Sequence, residues 1–230
     1  MHYFGGRFRV GKHIAEYINS YSNQYNTYWE PFCGGCWVTK DISFKHKYAF
    51  DNNKYLIALY NALQQEWIPP DKITEEDYKK AKSLELDDAL TGFIGIGCSF
   101  SGKWFGGFAR DNTERNYALN AKRSLLKKIK TMQDVVFAST DYKTLGMSDS
   151  VVYCDPPYKG MTNGYITNIF NHDEFWDIMR RWSKNNKVIV SEYSAPDDFK
   201  CVVEFKTKTD IRNKNNKQSK RVEKLYEWRY

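Results

Sequence analysis

Apolar positions in the first part of the chain recur with two different periods. In residues 11–18, Gly-Lys-His-Ile-Ala-Glu-Tyr-Ile, they return at helical spacing, and Leu56, Leu59, Tyr60 and Leu63 form a second such stripe across residues 53–63. Between them lie two short β-prone runs, residues 27–30, which lead into a glycine turn, and residues 48–51, which end in a carboxylate. That succession predicts the opening of an α/β doubly wound sheet.

From about residue 67 to residue 133 the pattern changes. Pro69-Pro70 interrupts it, and the charged segment 71–88 predicts polar helices. Residues 92–108, Gly-Phe-Ile-Gly-Ile-Gly-Cys-Ser-Phe-Ser-Gly-Lys-Trp-Phe-Gly-Gly-Phe, carry so many glycines that they predict a loop and hairpin. A basic helix over 114–130 follows. The sheet pattern then resumes with apolar strands at 135–138, 151–154 and 187–191. An amphipathic helix over 172–184 aligns Phe175, Ile178, Met179 and Trp182. Residues 202–207 and 221–228 alternate and predict an antiparallel closing pair. The expected organisation is a sheet in two halves, 1–66 and 134–230, with 67–133 inserted between them.

With 230 residues, 41% hydrophobic and 17% aromatic, the chain can bury a sizeable core without disulfides, and a disordered or fibrous protein is excluded. No run of about 18 apolar residues is present, and the N-terminus has no apolar stretch leading to a small-residue cleavage site. A soluble, cytoplasmic protein is expected, without membrane contact. Lys and Arg number 35 against 28 Asp and Glu, a net charge of +7. Residues 206–230 hold nine basic against three acidic side chains, and residues 121–130 form a second basic cluster. Both favour a polyanionic partner, with solvated surface as the plainer alternative.

Five cysteines, at 33, 36, 98, 154 and 201, predict reduced thiols. Cys33-Gly-Gly-Cys36 has the spacing of a redox or metal motif. The chain is much longer than a thioredoxin domain, however, and His13 and His46 do not complete a compact zinc site. The pair reads as thiols packed in a glycine-rich turn, and no metal is expected.

Asp155-Pro-Pro-Tyr158, directly after an apolar strand, carries the most chemistry. Ligands of open α/β sheets bind at the carboxyl ends of strands, so this tetrad stands where reactions occur. Prolines contribute carbonyl acceptors but no amide hydrogen, Asp155 an anionic acceptor and Tyr158 a flat ring. Acceptors beside a ring suit a planar aromatic amine. A Pro-Pro turn with a capping aspartate is the alternative.

Here the chain resembles the Dam-type (D12 class, α-group) DNA adenine-N6 methyltransferases. Tyr3-Phe-Gly-Gly-Arg7 resembles that family's N-terminal motif, Glu30-Pro-Phe-Cys-Gly-Gly-Cys-Trp-Val38 its Glu-Pro-Phe-x-Gly-x-Gly loop, and Asp51-Asn-Asn its acidic turn. Val136-Phe-Ala-Ser-Thr-Asp-Tyr142 is similar to the motif before the catalytic strand, Asp155-Pro-Pro-Tyr158 to the catalytic motif, and Val188-Ile-Val-Ser-Glu-Tyr193 to a late strand motif. The six are collinear and cover nearly the whole chain. Two departures stand out: Arg7 replaces a lysine, and Cys36 stands at the second loop glycine, where a positive φ would strain it.

The resemblance implies a Rossmann-like methyltransferase sheet with an inserted, mainly helical target-recognition subdomain containing a hairpin or loop. Residues 1–66 would be the cofactor-binding first half, 67–133 the target-recognition insertion and 134–230 the catalytic second half. It implies site-specific methylation, from S-adenosylmethionine, of the N6 amine of an adenine flipped out of duplex DNA. Asp155, Pro156, Pro157 and Tyr158 would be catalytic. Tyr3, Gly6, Arg7, Glu30, Pro31, Phe32, Cys33, Gly34, Asp51, Asn52, Asp141, Tyr142 and Asp155 would hold the cofactor, Arg7 through the methionine carboxylate and Asp51 through the ribose. Lys103, Trp104, Arg110, Arg115, Asn116, Lys122 and Arg123 would contact DNA, with Lys122, Arg123, Lys127 and Lys128 at phosphates. Functional pairing with a restriction endonuclease is compatible with the family. An RNA adenine methyltransferase, a protein-glutamine methyltransferase, a catalytically inactive nucleic-acid-binding descendant and a redox protein stay as alternatives.

Overall fold

The computed structural model describes residues 1–110, 115–158, 170–212 and 218–229, with 206–212 and 218–221 described by their backbone alone. Seven strands form one sheet in the order β3-β2-β1-β4-β5-β7-β6: β1 (Thr27–Glu30), β2 (His46–Asp51), β3 (Val135–Ser139), β4 (Val151–Cys154), β5 (Lys187–Glu192), β6 (Phe199–Arg212) and β7 (Gln218–Trp228). The first five are parallel, and β7 runs antiparallel between β5 and β6. The chain steps outward from β1 to β3, then returns to place β4 on the other side of β1. The strand order therefore reverses between β1 and β4, and the crevice at their carboxyl ends is where such sheets bind ligands. The Rossmann-like α/β class expected from the sequence is present.

Both faces of the sheet are covered, which is why β4 reads as an unbroken apolar run. Val151 and Tyr153 pack with Ile14 and Ile18 of α1 (Gly11–Asn19), while Val152 and Cys154 pack with Phe175, Ile178 and Met179 of α6 (His172–Ser183). A further cluster joins α2 (Lys54–Gln64) and α5 (Tyr117–Ile129) to β2 and β3 through Leu56, Tyr60, Leu125, Ala49 and Phe137. Asn53 caps α2 by accepting from the amides of Tyr55 and Leu56, so the helix starts three residues beyond the carboxylate ending β2. The polar segment after α2 forms α3 (Glu75–Lys82), opened by a capping box in which Thr74 and Asp77 bond each other's backbone amides.

The glycine-rich stretch departs from expectation. Residues 92–97 are not a loop: α4 (Asp88–Gly92) runs directly into a π-helical turn over Phe93–Gly97. A Cβ on Gly92 would lie 2.1 Å from the carbonyl oxygen of Tyr55, and one on Gly95 would lie 2.6 Å from the Trp104 ring. The glycines thus permit close approach of packed elements rather than breaking a helix. Only beyond them does the expected hairpin survive, as an isolated antiparallel bridge between Ser99 and Phe108. Phe93, Ile94 and Ile96 share the cluster of α2 and β3, so this part of residues 67–133 packs into the same core as the sheet. Among the described residues, no helix is long and apolar enough to cross a membrane.

Candidate active site

A cleft open to solvent lies over the carboxyl ends of β1, β2 and β4. Its walls include Tyr3, Gly6, Arg7, Glu30, Phe32, Cys33, Gly34, Asp51 and Asp155, residues drawn from four separated motifs. Pro157 also lines it, together with Trp37 and Val38, which the sequence did not single out. Asp141 and Tyr142, expected at the cofactor, do not line it; they follow β3, where Asp141 caps a short turn and Tyr142 packs on Phe32 with ring centroids 4.9 Å apart.

The loop after β1 is a tight turn. The Cys36 amide donates to the Cys33 carbonyl at 2.7 Å, and Gly34 and Cys36 both have positive φ, 41° and 50°. The two glycines therefore do not absorb the turn alone, and Cys36 carries left-handed strain on the order of 1 kcal/mol. Tyr60 fixes the turn from below by donating to the Gly34 carbonyl at 2.8 Å. Asp51 fixes it from the side, accepting from the amides of Gly34 and Asn53 at 3.0 and 2.9 Å. Burial nevertheless pushes the Asp51 carboxyl up, to about 6. Asn52 does not line the cleft.

Glu30 ends β1 and is buried, accepting from the hydroxyls of Tyr28 (2.6 Å) and Thr39. Burial pushes its carboxyl up to about 8 against those two hydrogen bonds. Lys128, expected at phosphate, is instead buried behind the same loop. Its ammonium donates to the Gly35 carbonyl and sits 4.0 Å from the centre of the Trp37 ring. Its position on the apolar stripe of α5, between Leu125 and Ile129, turns it inward, and burial lowers its pKa to about 8.

Asp155 is gathered into a network the sequence only partly foresaw. Arg7 donates to Asp155 and to the Tyr158 hydroxyl, and its guanidinium lies 3.3 Å from Glu223 and 4.6 Å above the Tyr158 ring. Burial opposes the charge on Arg7, but Asp155, Tyr158 and Glu223 outweigh it and hold its pKa well above the usual value. For Asp155, burial raises the carboxyl to about 6 while Arg7 pulls it back. The Tyr158 hydroxyl also meets Ser191 at 2.8 Å and Glu223 at 3.2 Å, and Tyr193 stands edge-on to its ring at 4.6 Å. Ser191 and Tyr193 lie on the late strand motif quoted from the sequence; Glu223 arrives from β7, with no local pattern to mark it.

The residues expected at DNA are dispersed. Lys103 lies over Phe4, and Trp104 is partly buried, stacked on Tyr55 at 5.4 Å. Asn116 caps α5 and donates to the Asp71 carbonyl at 2.8 Å, while Lys122 pairs with Asp71 at 2.6 Å. Arg110 pairs with Glu75, Arg115 lies 5.9 Å from the Tyr117 ring centre, and Arg123 and Lys127 are exposed. Cys33 and Cys36 are both free and buried. Among the described residues no cluster of His, Cys, Asp and Glu has the arrangement of a metal site.

A family model described as D12 class N6 adenine-specific DNA methyltransferase matches residues 3–94 and 101–227. No curated protein matches the chain by sequence. Among solved structures, the chain is similar to a Pyrococcus horikoshii protein provisionally named an RNA methyltransferase, with 8% identity, a TM-score of 0.45 and coverage of 96% of this chain and 82% of that one. It is also similar to an rRNA methyltransferase from Streptomyces viridochromogenes, with 13% identity, a TM-score of 0.39 and coverage of 94% and 84%. A precorrin-6y C5,15-methyltransferase from Geobacter metallireducens shares 8% identity at a TM-score of 0.37, over 95% and 88%.

Proposed function

The chain belongs to the D12 class N6 adenine-specific DNA methyltransferase family, and we propose that it methylates the N6 amine of an adenine flipped out of duplex DNA. Membership makes it an adenine methyltransferase that uses S-adenosylmethionine. The observation that carries the finer reading is Asp155: a carboxylate at the end of a central strand, lining the cleft at the switch point together with Asp51.

The cleft's donor set suits the cofactor. Asp51, held by two amides at the end of β2, offers an acceptor for ribose hydroxyls. Phe32 and Tyr142 give an apolar edge for an adenine ring. Arg7 keeps a buried Nε with no partner among the described residues, a donor suited to a carboxylate. When bound, S-adenosylmethionine supplies an electrophilic methyl group.

The exocyclic amine of adenine is a poor nucleophile because its lone pair is delocalised into the ring. Asp155 and the Pro156 carbonyl accept its two hydrogens, favour the pyramidal nitrogen and direct the lone pair into the cleft. Tyr158, its hydroxyl held by Ser191 and Glu223 and its ring under the Arg7 guanidinium, fixes Arg7 against Asp155. Arg7 preorganises Asp155 and keeps it ionised. Residues 67–133 supply the target-recognition segment, its cations Lys103, Arg110, Arg115, Lys122 and Arg123 being the groups available to DNA, while Trp104 is committed to packing on Tyr55 and Asn116 to capping α5.

The test is incubation with labelled S-adenosylmethionine and unmethylated duplex DNA, followed by nucleoside mass spectrometry, alongside Asp155→Ala and an RNA substrate. N6-methyladenine in wild-type DNA alone is the expected result. Methylation confined to RNA, or full turnover by Asp155→Ala, would overturn the reading.

A further inference from the structure

Strands β6 and β7 continue past the edge of the sheet to which they belong. β5 pairs with β7 through Val190↔Tyr226, Ser191↔Leu225 and Glu192↔Lys224, and there β5 ends. β7 reaches back to Gln218 and stays paired with β6 as far as Arg212↔Gln218. Because β7 is antiparallel to β5, this six-residue extension projects beyond the carboxyl end of β5, about 20 Å at strand rise. That is the edge bearing Asp51 and Asp155. The root of the projection is in the active site itself, since Glu223 contacts both Arg7 and Tyr158.

The charge pattern changes where the projection begins. Against the sheet, opposite charges face each other: Lys200↔Glu227 and Glu204↔Lys224 occupy paired positions, and Lys187 pairs with Glu227 at 2.6 Å. Beyond Phe205 the acids nearly vanish. Residues 206–221 contain Lys206, Lys208, Arg212, Lys214, Lys217, Lys220 and Arg221 against Asp210 alone. By register Lys208 lies directly opposite Lys220, and period two places Lys206 on the same face. Like charges directly opposed across a ladder destabilise it. A register that lines up cations on a strand pair projecting from the active-site edge makes a surface suited to an external polyanion.

The geometry points to the projecting β6–β7 ladder as a duplex-DNA backbone clamp, one that neutralises phosphates beside the flipped base and reads no sequence. This rests on the DNA reading proposed above. A phosphate contact needs only a cation at the right place, whereas base readout needs side chains shaped to a groove edge.

Because the interaction is sequence-independent, the test needs no knowledge of the target site. Binding of the full chain to a mixed-sequence duplex is measured by fluorescence anisotropy across a series of salt concentrations. Lys208→Glu is compared with wild type, and so is the combination Lys206→Gln, Lys208→Gln, Lys220→Gln and Arg221→Gln. Removing one cation from a phosphate makes the slope of log K against log salt shallower by about 0.9. Lys208→Glu is expected to lower the slope by about 1 and the fourfold variant by about 3 to 4. S-adenosylmethionine binding is expected to stay unchanged in both. Lys208→Glu also replaces a like-charge rung by an opposite-charge one, so its melting temperature is expected to hold or rise while DNA binding weakens. Misfolding cannot produce those two opposite signs together. Wild-type binding to duplex DNA with the same slope in all three proteins would overturn the clamp and leave the DNA reading standing. A wild type that binds RNA but not duplex DNA would overturn the DNA reading, and the clamp with it.

Discussion

Glu30 is the carboxylate most sharply set by its surroundings. It is 3% exposed at the end of β1, and its partners are two neutral hydroxyls rather than a cation. Its carboxyl, ordinarily near 4.5, is pushed to about 8, so the folded protein holds a proton that the unfolded chain releases well below neutrality. Stability therefore declines as pH rises through the interval between those values, because folding there requires proton uptake. At about 1.36 kcal/mol per pH unit, and allowing for partial titration at each end, the loss between pH 5 and pH 8 comes to about 3 to 4 kcal/mol. Glu30→Gln mimics the protonated acid and keeps an acceptor for both hydroxyls, so it should remove this dependence. Urea unfolding of wild type and Glu30→Gln at pH 5, 6, 7 and 8 reads the difference, and groups common to both proteins cancel. The two are expected to be nearly equal at pH 5 and to separate, with the variant the more stable, by pH 8. Curves that stay parallel would refute the assignment of a protonated Glu30.

Three further predictions concern the site. Ionised Asp155 is a far stronger acceptor for an amine hydrogen than the protonated acid, and its carboxyl stands at about 6, so methyl transfer at saturating substrate should fall by up to about tenfold per pH unit well below that value; a flat profile down to pH 5 would count against Asp155 as acceptor. Glu223→Gln removes a charge that raises Asp155, so the acidic limb should move to lower pH while turnover drops about tenfold from looser Arg7 and Tyr158, and an unmoved limb would dismiss that coupling. Gly34→Ala would set a Cβ 2.8 Å from the Tyr3 ring at a φ of 41°, pushing that ring within the cleft. Calorimetric S-adenosylmethionine affinity should weaken at least about tenfold, and unchanged affinity would mean the turn does not shape the cofactor site.

Much of this protein is legible as a string. The period-two and period-3.6 patterns mark the strands and the principal helices, since each element must turn one face or two toward a core and its residue spacing records which. The motifs at Glu30, Asp51 and Asp155 announce a ligand edge because strand ends in such sheets converge there. What local pattern cannot record is which distant group arrives. Gly92 and Gly95 read as helix breakers, yet they are points of close approach, since only the positions of Tyr55 and Trp104 show that no side chain would fit. Lys128 reads as a surface cation until α5 is docked and its charge faces the Gly35 carbonyl. Glu223 carries no motif and becomes part of the active site only because β7 lies beside β5, which brings it to Arg7 from the far end of the chain. Sequence determined the elements and the chemistry available at their ends; tertiary structure decided which charges are buried together, because burial and proximity belong to the assembled sheet and to no single segment of it.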